Sequence, residues 1–242
     1  MKYVPSIAFD EMSGSAKGVT AAKSRGRKYI RNRGYGGAAR TAAQSSVKAV
    51  FKQLTQSWKN LTNAQILAWN ALALTQAGKS VLGTSSKISG ANLFTRLNYW
   101  VVTCGGDIMQ NPPTLQGVEA PTEAEINLTP TKFTFELGAE PADFGNLKLI
   151  VQASAPQSNG ISRAYSKASQ IGSPLAAAIE EYDLKEAYDA KHGIPTTAAP
   201  KVFMKYFFVN TVTGEKSGEM MAAVTLNPMR LIRKDKISRL EN

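Results

Sequence analysis

The helical part of this chain is decided by the stretch Trp58-Lys59-Asn60-Leu61-Thr62-Asn63-Ala64-Gln65-Ile66. Thr62 and Gln65 have the spacing of a capping box, in which each side chain accepts a hydrogen bond from the backbone amide of the other residue. Leu61 and Ile66 have the spacing of the hydrophobic staple that accompanies such a box. The stretch therefore predicts that one helix ends just before Leu61 and that a second begins at once.

Apolar residues recur at spacings of three and four on both sides of this junction, as they do along one face of a helix. We predict helices from about Thr41 to Asn60, from Thr62 onward, and from Ser89 to Gly105-Gly106. The apolar positions behind these predictions are Val47, Val50, Phe51, Leu54, Trp58 and Leu61, then Ile66, Trp69 and Ala73, then Leu93, Phe94, Leu97, Trp100, Val101 and Cys104. We expect a three-helix module at residues 41–106 with all three tryptophans in its core.

Beyond Asn111-Pro112-Pro113 the pattern changes to alternation with period two or to short apolar runs, which predict strands. The runs are Lys132 to Leu137, Leu147 to Ala153, Val202 to Val209 and Met220 to Leu226. Thr213-Gly214-Glu215 is predicted as a hairpin turn, and a short helix is predicted with Asp183 as its cap and Glu186 at its third position. We expect an α+β chain with a linker at 107–130 and an immunoglobulin-like or fibronectin-like β-sandwich at 131–227.

Charge is distributed unevenly along the chain. Residues 12–106 contain fourteen lysines and arginines and no aspartate or glutamate, whereas residues 107–227 contain nine basic and fourteen acidic residues. A region with charge of one sign repels itself in the compact state, so it indicates an anionic partner. The partner of the first half is expected to be a polyanion or an acidic protein surface, including the acidic half of a neighbouring copy.

Residues 1–40 are predicted to form either a basic β-hairpin, with Gly26 in its turn, or a glycine-rich basic arm without fixed structure. The candidate residues for binding nucleic acid or an acidic partner are Lys17, Lys23, Arg25, Arg27, Lys28, Arg31, Arg33 and Arg40. A basic C-terminal extension at 228–242 supplies candidate docking residues, which are Arg230, Arg233, Lys234, Lys236 and Arg239. No residue pattern that reads base edges is evident, so any DNA contact should be non-specific and salt-sensitive.

The sequence offers no enzyme motif of any specificity. One cysteine and one histidine, Cys104 and His192, cannot make a Cys/His zinc site, and Gly14-Ser15-Ala16-Lys17-Gly18 lacks the ending of a phosphate-binding loop. No run of eighteen apolar residues predicts a membrane span, and the N-terminus does not read as a signal peptide. We therefore expect a cytoplasmically made protein that is not an enzyme, with no cofactor, metal or membrane contact.

An ordered set of motifs runs through most of the chain. Its members are Ser13 to Val19, Arg25 to Arg33, Thr41 to Gln44, Trp58 to Asn70, Ser89 to Phe94, Ala153 to Ser158 and Ala187 to Gly193. As a set they resemble a family of poorly characterised structural proteins encoded by tailed bacteriophages. The first hairpin strand is less apolar here, and the basic tail is an addition.

The resemblance implies a virion structural protein, most simply a minor capsid, head-decoration or head–tail connector component. Its partners would be capsid, portal or connector subunits, with homo-oligomers in the particle and DNA-backbone contact as a further option. Such a protein would be assembled in the host cytoplasm and located in the virion. A tail or fibre component, and a non-specific nucleic-acid-binding phage protein that acts outside the particle, are the alternatives.

Overall fold

The computed structural model describes residues 12–24, 27–32, 41–78 and 86–227 of the 242 in the chain. These residues divide into two compact units, one within 12–95 together with 110–112, and the other comprising 96–109 and 113–227. Helices and antiparallel sheets are both present, which confirms the predicted α+β class. The Pro-Pro pair falls at a unit boundary, with Pro112 in the first unit and Pro113 in the second.

The first unit begins with a three-stranded antiparallel sheet. Its strands are β1 (Gly14–Ala16), β2 (Val19–Ser24) and β3 (Arg27–Asn32), in the order β1-β2-β3. Lys17 and Gly18 connect β1 to β2 with positive φ angles of 37° and 90°. Since glycine adopts such angles without a steric penalty, Gly18 suits this tight turn.

Two capped helices follow, α1 (Ala42–Lys59) and α2 (Asn63–Thr75). The capping box predicted at Thr62 and Gln65 is confirmed, and α1 has an equivalent box made by Thr41 and Gln44. Both helices therefore begin where a side chain satisfies otherwise unpaired amides. The short strands β4 (Ala77–Gly78) and β5 (Ser86–Lys87) then pair with each other.

The core of the first unit forms where aromatic side chains of three helices meet. The third helix, α3 (Gly90–Thr103), contributes Phe94, whose ring lies 5.3 Å from the rings of both Trp58 and Trp69. Trp69 is fully buried, and its indole N–H donates to the carbonyl of Gln110 at 2.8 Å. Leu54, Ala73 and Leu93 are buried as well.

The division between the units falls inside α3, between Thr95 and Arg96. The second unit holds the C-terminal end of α3, the later strands and a fourth α-helix. These are β6 (Ala124–Leu128), β7 (Phe133–Leu137), β8 (Leu147–Ala153), β9 (Ser169–Gln170), β10 (Leu175–Ala176), β11 (Tyr182–Asp183), α4 (Lys185–His192), β12 (Lys201–Asn210) and β13 (Met220–Thr225). One sheet has the order β11-β7-β6, and the other has the order β10-β8-β12-β13 with β9 also paired to β8.

The main core of the second unit contains side chains from both of its sheets. Phe133 and Phe135 of β7 belong to the same buried cluster as Met204 and Phe208 of β12. Tyr206 joins this cluster, and its hydroxyl is hydrogen-bonded to the backbone before and at the start of β6. Each of the two sheets therefore buries one of its faces in this shared core.

The larger sheet is buried on its second face too. Ile150, Phe207 and Val209 form a separate cluster there, and Trp100 of α3 packs against it with its ring 5.3 Å from that of Phe207. The prediction that Trp100 shares a core with Trp58 and Trp69 is therefore wrong. Helical spacing shows that an apolar residue is on a buried face, but it does not show which element covers that face.

The predicted short helix exists as α4, but its predicted cap is wrong. The N-cap residue is Leu184, whose side chain makes no capping hydrogen bond. Asp183, the predicted cap, lies one position earlier and belongs to β11. The Asp183 carboxylate instead accepts from the amides of Lys185, at 2.9 Å, and Phe133, at 3.3 Å. It therefore ties the start of α4 to β7.

Candidate interaction surfaces

The three-stranded sheet at 14–32 presents different chemistry on its two faces. Lys23 of β2 lies directly opposite Lys28 of β3, and Thr20 lies opposite Arg31. Because side chains alternate along a strand, Tyr29 and Arg31 share the face that does not carry the lysine pair. An arginine next to a tyrosine on an open strand can contact phosphate, stack on a base or pair with a carboxylate.

The structure brings some of the predicted basic residues together on this sheet. Lys17 is exposed in the β1–β2 turn, Lys23 and Arg31 are exposed, Lys28 is half-buried, and Arg27 begins β3. The remaining candidates lie outside the described residues, and these are Arg25, Arg33, Arg40, Arg230, Arg233, Lys234, Lys236 and Arg239.

A second surface is the outer face of α2, which the sequence prediction missed. Leu67 and Leu74 are 68% and 60% exposed, although Trp69 and Ala73 on the opposite side are buried. From Asn63 to Thr75 the helix contains no charged residue. That absence of charge is the signal that could have revealed this face, because a helix exposed to water ordinarily carries charges there.

A third surface is a groove of about 270 Å³ in the second unit, at the end where β7 connects to β8 and β12 connects to β13. Among its lining residues are three carboxylates, Glu119, Asp143 and Glu215, and no lysine or arginine. Glu215 is held in place by the amides of Gln116 and Gly117, at 3.2 and 3.1 Å. The groove is open and acidic, and one of its carboxylates is already used to fix the chain before β6.

The Glu215 loop is also fixed by Gly214. This glycine has a φ of 69°, and an added Cβ would lie 2.2 Å from the carbonyl oxygen of Leu97. Only glycine therefore allows the loop to approach the α3 backbone this closely. The turn predicted at Thr213-Gly214-Glu215 is confirmed in position, within a longer connection between β12 and β13.

His192 and Ser169 lie close enough for a hydrogen bond, which is the arrangement that a serine nucleophile and its base require. The Ser169 hydroxyl lies 3.3 Å from His192 Nε2, but the ring also has a hydrogen bond to the backbone of Ala153, so this contact supplies no carboxylate to orient it. Burial, and then the neighbouring Lys191 charge, lower the pKa of His192 below its usual 6.5. The lowered pKa favours the neutral ring, and its contacts are those of a residue that anchors the end of α4.

Burial also raises the pKa of the Cys104 thiol, with Lys148 opposing the effect. The raised pKa favours the protonated thiol, which is the less nucleophilic form. In the part of the chain that the structure describes, no cluster of histidine, cysteine, aspartate and glutamate is placed to hold a metal ion. No helix among those residues has the length and apolar character needed to cross a membrane.

A comparison of the chain with protein-family models gives no match, and a comparison with curated proteins gives no match either.

Proposed function

We propose that this chain is a structural protein of a bacteriophage particle, in the capsid, as a head-decoration protein or in the head–tail connector region. The ordered motifs that resemble phage structural proteins support the phage context. The observation that carries a structural role is the outer face of α2, where two leucines are exposed on a helix without charge. Such a face is costly in water and is typical of a protein that works while covered by a neighbour.

The charge distribution supports the same role. The first half carries only cations between residues 12 and 106, so an acidic neighbour or packaged DNA would relieve its self-repulsion. In this proposal the basic sheet at 14–32 docks on other virion subunits, copies of the chain included, and touches the DNA backbone where DNA is within reach.

We also propose that the second unit is an immunoglobulin-like sandwich of the fibronectin-like kind. The order β6-β7-β11 matches strands A, B and E of that fold, and the order β8-β12-β13 matches strands C, F and G. The chain has one cysteine, which leaves out the disulfide of antibody domains and favours the fibronectin-like kind. Domains of this architecture serve most often in binding or spacing, which agrees with a structural role.

Mass spectrometry of purified particles tests the proposed role. We expect the chain in intact virions at a fixed ratio to the major capsid protein, retained after nuclease treatment and washing in high salt. If the chain is abundant in infected cells and missing from intact particles, the structural role is refuted.

The second candidate function is non-specific binding of nucleic acid outside the particle, and the shared face of Tyr29 and Arg31 favours it. Titration of duplex DNA at two salt concentrations tests this function. Binding that falls with a log–log slope of about 0.9 per phosphate contacted, and that ignores sequence, would support it. An Arg31→Ala variant should flatten the slope. If the parent chain shows no affinity for DNA at physiological salt, an acidic protein surface remains as the partner of this sheet.

A further inference from the structure

The outer face of α2 consists of Ala64, Leu67, Ala71 and Leu74, which are three or four residues apart and therefore lie along one side of the helix. All four side chains are exposed, and the leucines are exposed by 68% and 60%. The opposite side of the helix holds the buried Trp69 and Ala73. α2 thus carries apolar residues on both sides and no charge, with Asn63, Gln65, Asn70 and Thr75 as its polar residues. A helix that is apolar on two opposite sides is normally covered on both.

We propose that this face binds an amphipathic helix of a different protein, whose apolar residues have the same spacing and are flanked by aspartates and glutamates. The inference names the partner chemistry for the structural role proposed above. It rests on the proposed structural role only in assigning the partner to the virion.

The shape of the face fits a helix. Leu67 and Leu74 are two turns apart, and the alanines beside them leave shallow depressions into which the side chains of a second helix can fit. Small residues also let two helix backbones approach closely, which increases the dispersion contacts of each leucine.

Charge selects the kind of helix. In the sequence, the charged residues nearest to α2 on either side are Lys59 and Lys79, and no carboxylate occurs anywhere between residues 12 and 106. A second copy docked face to face would bring two such cationic regions within a Debye length of each other. All charged residues that the structure describes in the first unit are lysines and arginines, so a helix flanked by carboxylates is complementary to this unit in charge.

The test uses the full chain and two fluorescein-labelled synthetic helices of about 20 residues, a length at which isolated helices begin to be stable. Both peptides have leucine at heptad positions, and the other positions are glutamate and alanine in one and lysine and alanine in the other. Fluorescence anisotropy is recorded at about 0.05 and 0.5 M salt. We expect the glutamate peptide to bind, to weaken as salt rises, and to bind at least about tenfold more tightly than the lysine peptide.

Two variants locate the binding. Leu67→Ser with Leu74→Ser should weaken binding of the glutamate peptide about tenfold or more, because two buried leucine contacts are lost. Ile194→Ser is the matched control, since Ile194 is 66% exposed and lies outside α2, and it should leave the affinity unchanged. Circular dichroism checks that both variants are folded.

Several results would overturn the inference. Binding that survives the double leucine change would mean that the peptide is attracted to basic residues elsewhere. Equal affinity for the lysine peptide would contradict the inference that the partner helix is acidic. Self-association in sedimentation velocity that the double change abolishes would make a second copy the occupant. Each of these readouts is independent of particle composition, so either proposal can fail without the other.

Discussion

At the scale of single residues, Trp69 is the largest fully buried side chain that the structure describes in the first unit. It is fully buried, its ring packs edge-on against Phe94, and its indole N–H satisfies the Gln110 carbonyl. The packing and the hydrogen bond together fix residues 110–112 to the helices that precede them.

We therefore expect Trp69→Ala to lower the free energy of unfolding by about 3 to 5 kcal/mol, because it leaves a large cavity and an unpaired carbonyl. Urea denaturation followed by circular dichroism measures the change. Leu67→Ala, two positions earlier and exposed, is the control and should change stability by about 0.5 kcal/mol or less. Similar losses in both variants would contradict the described burial of Trp69.

His192 gives the chain a stability that depends on pH. Its pKa in the folded state lies below the usual 6.5, because the ring is partly buried and Lys191 is close. Below pH 6.5 the unfolded chain takes up the proton more readily than the folded chain does. The stability associated with His192 is therefore present above pH 6.5 and declines as the pH falls toward the folded pKa.

Thermal melts at pH 7.5 and 5.5 should show a lower melting temperature at pH 5.5, and the difference should shrink in His192→Gln. Glu219, whose pKa is lowered mainly by its hydrogen bond to Lys216, loses its contribution only below its usual 4.5 and so lies outside this range. A pH effect that is the same in the variant would assign it to other groups.

At the scale of elements, the sequence predicts those whose local signals agree with their packing. The boundaries of α1, α2 and β8 follow from capping residues and from an apolar run, and Leu147–Ala153 matches the predicted strand. The strand β6, Ala124–Leu128, lies in the segment that reads as a linker, because Ile126 and Leu128 give only a brief alternation. β9, β10 and β11 have two residues each and exist only through pairing with distant strands, which no local pattern reveals.

The candidate surfaces were predictable to different degrees, because a sequence pattern shows neighbouring residues but not which distant segments come together. The cations of β2 and β3 are visible in the sequence, but which of them share a face depends on the register of the pair. The acidic groove joins residues near 117, 142 and 213, and only the folded sheets bring these segments together.

The connection between β12 and β13 provides a test of the second unit. Gly214 and Gly117 both have positive φ, of 69° and 80°, but only Gly214 has backbone atoms in the space a Cβ would fill. Gly117→Ala should lower the free energy of unfolding by about 1 to 2 kcal/mol, because alanine is strained at a positive φ. Gly214→Ala should lower it by about 2 to 5 kcal/mol, because the new Cβ must also displace the Leu97 carbonyl. Chemical denaturation of the two variants gives the comparison, and equal losses would argue against the close approach.

At the scale of the whole molecule, charge and architecture coincide. The residues of the first unit that the structure describes lie within the stretch that has no carboxylate, apart from residues 110–112, which are uncharged. The second unit contains charges of both signs, among them the Lys205 and Lys216 pairs with Glu219. Self-repulsion is thus concentrated in one unit.

Screening should therefore stabilise the chain. Raising sodium chloride from about 0.05 to 0.5 M shortens the Debye length about threefold, which weakens the repulsion among the lysines and arginines of the first unit. We expect the melting temperature, measured by differential scanning calorimetry, to rise by about 2 to 4 °C, which corresponds to about 1 kcal/mol for a chain of this size. A fall in melting temperature would mean that attractive charge pairs outweigh the repulsion.

The separation of Trp100 from the other two tryptophans provides an optical label for each unit. Trp58 and Trp69 lie beside Phe94, whereas Trp100 lies beside Phe207, with the Lys216 ammonium 5.9 Å from its ring. In a Trp100→Phe chain, tryptophan emission would come only from the first unit. In a chain with phenylalanine at positions 58 and 69 it would come only from the second, so tryptophan fluorescence could follow the two units separately as they unfold or meet a partner.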